Sequence, residues 1–318
     1  MTTPSTTAPA DHVRTSRGSG IATFMGLAHT RDLNGIDAAI FGIPFDSGGT
    51  PGSRWAPRLI RDVSALLRPA HAWHQLDIFS HIAAVDYGDV AVQPPLVERT
   101  LDAITRMAVE IAEAGAIPIG IGGEHGVTLG ELRAAARKGP VSLVQFDAHT
   151  DTYDVYYDDV RYSAGTPFRR AAEEGVVDAA TSIMVGLRGS VYTSHDFQDA
   201  RDLGYEIITA EEVAELGPLA VADRIKARVG TNPTFLTFDI DALDPSCAPA
   251  TGTLEIGGLT TREALAIVRS LTGIDFCGFD LVEVNPAFEG QRITAVAGAT
   301  MIFEFLALIA LSKLGARK

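Results

Sequence analysis

Cysteine is nearly absent from this chain. Cys247 and Cys277 are the only two, they lie far apart, and neither belongs to a Cys-x-x-Cys pair. That excludes a disulfide framework and a cysteine-built structural zinc site, and two reduced thiols are expected. Basic residues are also scarce, with 26 Lys and Arg against 40 Asp and Glu, giving a formal charge of -14. The cations are scattered instead of forming a stripe, so a phosphate backbone would be repelled and nucleic acid is not an expected partner. No apolar run near the N-terminus has the form of a signal-peptide core. The first twenty residues, rich in Thr, Ser, Ala and Gly, read as a flexible tail, and a cytoplasmic location is expected. Near the other end, Met301 to Leu311 is interrupted by Glu304 and is too short to span a bilayer, so it reads as a buried C-terminal helix and no membrane partner is expected.

What the chain does have is short runs of Val, Ile and Phe between longer amphipathic segments. The runs begin with Ala38 to Pro44 and continue with Ile117 to Ile121, Val141 to Phe146, Ser182 to Gly186 and Thr234 to Phe238. Phe276 to Val282 closes the series. Continuous apolar runs of this kind suit strands covered on both faces by helices. Val97 to Ala114 and Thr261 to Leu271 carry apolar residues at helical spacing. With no internal repeat and no linker, the expectation is an α/β fold: one three-layer α/β/α domain over 21–318 around a mainly parallel central sheet. Ligands bind beyond the carboxyl ends of strands in such sheets.

Three of those ends carry unusual chemistry. Phe146 is followed by Asp147-Ala148-His149-Thr150-Asp151, Phe238 by Asp239-Ile240-Asp241, and Ile121 by Gly122-Gly123-Glu124-His125. In an extended segment alternate side chains share a face, which would aim Asp147, His149 and Asp151 at one point and Asp239 and Asp241 at another. The glycines before His125 allow a sharp bend toward the same space. A lone Asp or His after a strand is usually a cap or a satisfied polar group, and Asp244 before Pro245 reads that way. Four carboxylates crowded together would repel one another, however, and two divalent cations remove the difficulty. An oxygen-rich, nitrogen-poor donor set favours manganese, with nickel, cobalt or zinc as alternatives.

These three motifs, in this order, resemble the metal signatures of the ureohydrolases, the family of arginases, agmatinases and guanidino-acid hydrolases. The likeness continues through Ala248 to Thr253, Gly257 to Thr260 and Phe279 to Pro286. Toward the N-terminus, Thr23 to Met25 and Gly42 to Gly48 are more similar to the agmatinase branch. The resemblance implies an arginase-like fold and hydrolysis of a small guanidino compound to urea and an amine by a hydroxide held between two metal ions. One ion would take His125, Asp147, Asp151 and Asp239. The other would take His149, Asp147, Asp239 and Asp241, so Asp147 and Asp239 would bridge. Glu283 would pair with the substrate guanidinium, and Asp151 would handle the proton of the hydroxide. A homo-oligomer, trimeric or hexameric, is a further implication.

Three departures stand out. Ala164 occupies the place of a family histidine assigned to proton shuttling, so that either water or another side chain such as Tyr157 or Asp154 fills in, or the activity is slow. The segment Thr50 to Arg54 is short, and Glu124 replaces a common aspartate. The leading substrates are agmatine, guanidinobutyrate and guanidinopropionate. The competing readings are hydrolysis of another substituted guanidine, a weakly active supporting subunit of a mixed oligomer, and a metal-dependent amide deacetylase.

Overall fold

The computed structural model describes residues 16, 18–47 and 50–316; most of the expected N-terminal tail, together with Gly48, lies outside them. The strands are β1 Ala38–Gly42, β2 Ala70–His71, β3 Leu76–Asp77, β4 Ala84–Asp89, β5 Ile117–Ile121, β6 Ser142–Phe146, β7 Ile183–Leu187, β8 Glu206–Thr209, β9 Thr234–Asp239 and β10 Phe276–Val282. The helices are α1 Ala56–Ser64, α2 Val97–Glu113, α3 Thr128–Ala135, α4 Pro167–Glu173, α5 Asp196–Asp202, α6 Ala210–Leu216, α7 Pro218–Val229, α8 Thr261–Ser270 and α9 Ile293–Gly315.

Eight strands form one sheet in the order β4-β1-β5-β10-β9-β6-β7-β8, and every pairing in it is parallel. All six apolar runs named from the sequence are strands of this sheet. The two edge strands, β4 and β8, were not expected. β4 ends in Asp86, Gly88 and Asp89, and β8 is only four residues long, so neither shows a continuous apolar run. An edge strand has one neighbour and tolerates such polar interruptions.

Side chains alternate across the sheet as strand geometry requires. Ala38, Ile40, Ile119, Ile121, Val144, Phe146, Leu236 and Phe238 join the core on one face, which is covered by α1, α7, α8 and α9. Ala39, Phe41, Leu143, Met184 and Phe235 join the other, which is covered by α2 and α3. The register sets Phe146 beside Phe238, and Phe238 beside Leu281. The four central strands β5, β10, β9 and β6 therefore end level with one another, and the loops leaving them are neighbours.

Helix α9 is longer than the sequence reading allowed. Its 23 residues, which include an 18-residue stretch of mean hydropathy 2.0, make it long and apolar enough to cross a membrane, yet it is packed inside this fold against α1, α8 and β10. Gly298 permits that contact, since a methyl group there would lie 2.6 Å from a Leu281 carbon. The interrupting Glu304 is buried and satisfied, accepting hydrogen bonds from Arg269 (2.7 Å) and from His71 of the β2–β3 hairpin (2.8 Å).

A second buried ion pair ties α1 to the edge strand. The Arg61 guanidinium donates to both carboxylate oxygens of Asp86, at 2.8 and 2.9 Å, and to Asp89 at 2.6 Å. Asp86 also accepts the backbone N–H of Phe24. Replacing Arg61 by Met would leave the Asp86 carboxylate buried and unpaired, and such losses cost about 3–5 kcal/mol. Arg61→Met is therefore expected to lower the denaturant midpoint by that equivalent, and Arg61→Met combined with Asp86→Asn to recover part of it. Equal stabilities of wild type and Arg61→Met in chemical denaturation would refute the assignment.

Candidate metal centre

The chain bends after β6 and β9 instead of staying extended, which corrects the expectation of extended alternation. Strand β6 stops at Phe146, and the next residues fold back so that Asp147 accepts the backbone N–H of His149 at 2.6 Å. Asp151 then takes a left-handed backbone, φ 49°, unusual for a residue with a side chain and a form of strain typical of functional sites. After β9 the chain enters a 3-10 turn, Ile240–Ala242, capped by Asp239, which accepts the N–H of Asp241 at 2.8 Å. Asp241 in turn accepts the N–H of Ala148 at 3.0 Å and so joins the two loops.

His125 is delivered by the loop after β5. Gly123 passes so close to Phe45 that an added Cβ would stand 1.8 Å from its carbonyl oxygen, so only glycine fits. The His125 backbone N–H donates to the Glu283 carboxylate at 2.8 Å, and the Glu283 N–H to the Gly123 carbonyl at 2.8 Å. The loops after β5 and β10 thereby hold each other.

The side chains converge as two overlapping groups. His125 Nδ1 lies 2.9 Å from Asp151, 3.0 Å from Asp147 and 3.2 Å from Asp239. His149 Nδ1 lies 3.1 Å from Asp241 and 3.4 Å from the other oxygen of Asp147. Asp147 thus faces both histidines, while Asp239 stands with the first group. His125 Nδ1 is buried and, although at ion-pair distance from three carboxylates, has the hydrogen-bond angle to none. Its Nε2 sits 2.9 Å from Thr237 Oγ1, which suits a tautomer that leaves Nδ1 as a free lone pair. A lone pair and three carboxylate oxygens aimed at one buried point fit a divalent cation, and the groups His125–Asp147–Asp151 and Asp147–His149–Asp241 can each hold one.

Electrostatics point the same way. Burial, with the charge of Asp147, pushes Asp151 up to about 6, and burial with Asp241 and Asp147 raises Asp239 well above the carboxylate range. Burial would also raise Asp147, but the two histidines beside it outweigh that and hold its pKa low. Burial disfavours the charged form of His149, yet Asp241 and Asp147 carry it up to about 12. Without cations the cluster must take up protons to relieve its own repulsion.

The six residues and Glu283 face a cavity of about 710 Å³, except that His125 and Asp147 lie beneath its lining. Glu283 has a left-handed backbone, φ 62°, and burial together with the charge of Glu124 pushes its pKa up to about 8. Glu124 also lines the cavity, with one oxygen accepting from the Ser47 N–H and hydroxyl at 2.6 and 2.8 Å. Ala164 and Thr50 are on the wall, as is Tyr157, but Asp154 is not; it is bound to Arg170 at 2.7 Å and cannot stand in for the missing histidine. Sequence reasoning missed Tyr153, Tyr156, Tyr192 and Glu255, which line the outer part. The available signal was density: three of the seven tyrosines fall within residues 153–157. It also missed the buried Arg188, which donates to the carbonyls of Asp241 and Glu255, both at 2.7 Å, and braces the loop after β9 from below.

Residues 36–308 match the arginase family. The chain is 42% identical to a guanidinopropionase of Pseudomonas aeruginosa over 95% of its length and 96% of that protein. It is 38% identical to a guanidinobutyrase of the same organism, covering 92% and 93%. A crystal structure of a hypothetical agmatinase from Burkholderia thailandensis superposes with a TM-score of 0.89 at 36% identity, covering 99% of this chain and 98% of that one.

Because a divalent ion would bind the folded site and not the unfolded chain, it must raise stability. At a concentration a hundredfold above its dissociation constant the gain is about 2.7 kcal/mol, visible as an upward shift of several degrees in thermal melting. Chelation should reverse the shift. A melting curve unaffected by manganese, nickel, cobalt and zinc alike would contradict a metal centre here.

Proposed function

The chain belongs to the arginase family, and on that premise we propose that it is an amidinohydrolase cleaving a small guanidino compound to urea and an amine at the cavity above β5, β10, β9 and β6. The observation that carries the reading is the convergence of His125 Nδ1 with Asp147, Asp151 and Asp239 beneath a cavity that also contains Glu283.

One divalent ion is assigned to His125, Asp147, Asp151 and Asp239, and a second to His149, Asp147, Asp239 and Asp241. The hard carboxylate oxygens favour manganese. When bound, such a pair lowers the pKa of water by many units and supplies hydroxide at neutral pH. The chain's own groups do the rest. Asp147 presents its two oxygens to the two histidines, which fixes the separation of the two groups. Glu283 is anchored through one oxygen to the His125 N–H, so its carboxylate is held still for paired hydrogen bonds with a planar guanidinium. Its raised pKa is relieved when a cation settles beside it, so binding of the guanidinium and ionisation of Glu283 reinforce each other. Asp151 sits between the cluster and the cavity, where it can accept the proton released on attack and return it to the leaving amine nitrogen.

A urea-release screen across guanidino compounds, run separately with manganese, nickel, cobalt and zinc, tests the reading. Urea from at least one compound is expected, and its absence with every metal would reject hydrolysis. Glu283→Gln separates substrate pairing from metal holding. The variant should keep two ions per chain by metal analysis and lose about 10²-fold or more in kcat/KM, because a neutral amide cannot replace the charge-assisted pair. Loss of metal in that variant would instead make Glu283 part of the metal cluster.

A further inference from the structure

Above the metal centre the cavity is walled by tyrosines. Tyr153 packs edge-on against Tyr156 and Tyr192, each with ring centroids 5.4 Å away, and Tyr156 and Tyr192 stand 6.0 Å apart, again edge-on. Tyr157 extends the group at 6.2 Å from Tyr156 and is largely exposed at the mouth.

The wall is built, not incidental. Asp196 accepts the Tyr153 hydroxyl at 2.6 Å and the Tyr192 backbone N–H at 3.0 Å through the same oxygen, which holds the Tyr153 ring and the backbone that carries Tyr192. Gly165 makes room for a third, since a Cβ there would lie 2.5 Å from the Tyr156 ring. Tyr156 and Val160 exchange backbone hydrogen bonds at 2.9 and 2.8 Å around a tight loop in which Tyr157 and Asp158 both have positive φ, 48° and 69°. Those two residues turn the chain sharply, and the Tyr156–Val160 backbone pair closes the loop.

The charge in this outer part has one sign. Glu255 lines it and accepts from Ser190 at 3.1 Å, and Gly189, with φ 79°, leaves room for its carboxylate, which lies 2.0 Å from where a Cβ would be. No Lys or Arg lines the cavity among the described residues. Arg188 is buried and committed to backbone carbonyls, Arg54 is bound to Asp46, and Arg161, between the lining residues Val160 and Tyr162, is bound to Glu173 at 2.9 Å.

We propose that this tyrosine wall, with Glu255, selects guanidines whose far end is cationic, an alkylammonium, over those ending in a carboxylate. The proposal rests on the hydrolysis reading above. Once two divalent ions balance the four aspartates, Glu283 remains to meet the guanidinium and Glu255 to meet a second positive charge. Faces of tyrosine rings attract cations. A carboxylate would enter the same space with no cation to receive it and a like charge beside it, and burying a charge without a partner is unfavourable.

The test compares three substrates of matched four-carbon reach with the metal-loaded full chain: 4-aminobutylguanidine, butylguanidine and 4-guanidinobutyrate. The expected order of kcat/KM is amine, then alkyl, then acid, with the amine about tenfold or more above the acid. Glu255→Gln and Tyr192→Leu should each shrink that ratio chiefly through KM. An acid turned over as well as the amine, or a ratio that neither variant changes, overturns the proposal. Should none of the three release urea, the wider urea-release screen decides the hydrolysis reading, and calorimetry on the metal-loaded chain with 1,4-diaminobutane and 4-aminobutyrate decides the selectivity separately. Tighter binding of the diamine sustains it; equal or tighter binding of the acid, or no binding of the diamine, overturns it.

Discussion

Like charges held together away from water are the constraint around which this molecule is arranged. Asp147, Asp151, Asp239 and Asp241 are all buried, and burial with the charge of neighbouring aspartates raises the pKa of Asp151 and of Asp239. Two histidines soften the repulsion but cannot remove it. The strain shows in the opposite displacements of Asp147 and Asp239, one held low by its histidine partners and the other pushed high by burial and by its neighbours. Metal cations would resolve the conflict, and the parts of the structure nearest the cluster keep its side chains assembled.

Much of that support is hydrogen bonding between loops. Asp241 receives the Ala148 N–H, Asp239 caps the turn that carries Asp241, and Glu283 receives the His125 N–H. Below them, Thr237 faces His125 Nε2, and Gln145 donates to Asp147 at 2.7 Å. Each bond fixes the direction of a group that would otherwise have rotamer freedom, so the site is ordered by the backbone beneath it. Arg188 adds a buried positive charge under the same loops. Its hydrogen bonds go to carbonyls and not to the aspartates, so it braces the floor without competing for the carboxylates.

The cavity divides into two environments. Its inner end is acidic and built on strand ends, where the backbone is rigid. Its outer end is aromatic and built on the loops around Tyr153–Val160 and Ser190–Tyr192, held by Asp196 and by glycines that admit the rings. Reaction chemistry demands the first kind of support. Recognition of a substrate's far end can vary on the second without disturbing the first.

Much of this was legible in the sequence. Six apolar runs announced six strands, because a strand covered on both faces has no solvent side to make polar. The Asp-x-His-x-Asp and Asp-x-Asp motifs, with His125, stood out because carboxylates at that density demand neutralisation, whereas Glu283 was pointed to only by its resemblance to a family motif. The edge strands β4 and β8 were hidden, since a strand with one neighbour needs no unbroken apolar run. The way the aspartates converge was also misread: alternation suggested extended chain, whereas a bend at Asp147 and a 3-10 turn after Asp239 bring the oxygens together. Only the tertiary structure placed Tyr192 and Glu255 against Tyr153 and Tyr156, or set β5, β10, β9 and β6 side by side. Local composition records which residues favour a strand, a turn or a charge cluster. Which strands become neighbours is decided by contacts between residues far apart in the chain, such as Phe279 beside Ile119 and Leu236 beside Val144, and nothing in the chain's local pattern encodes that distance.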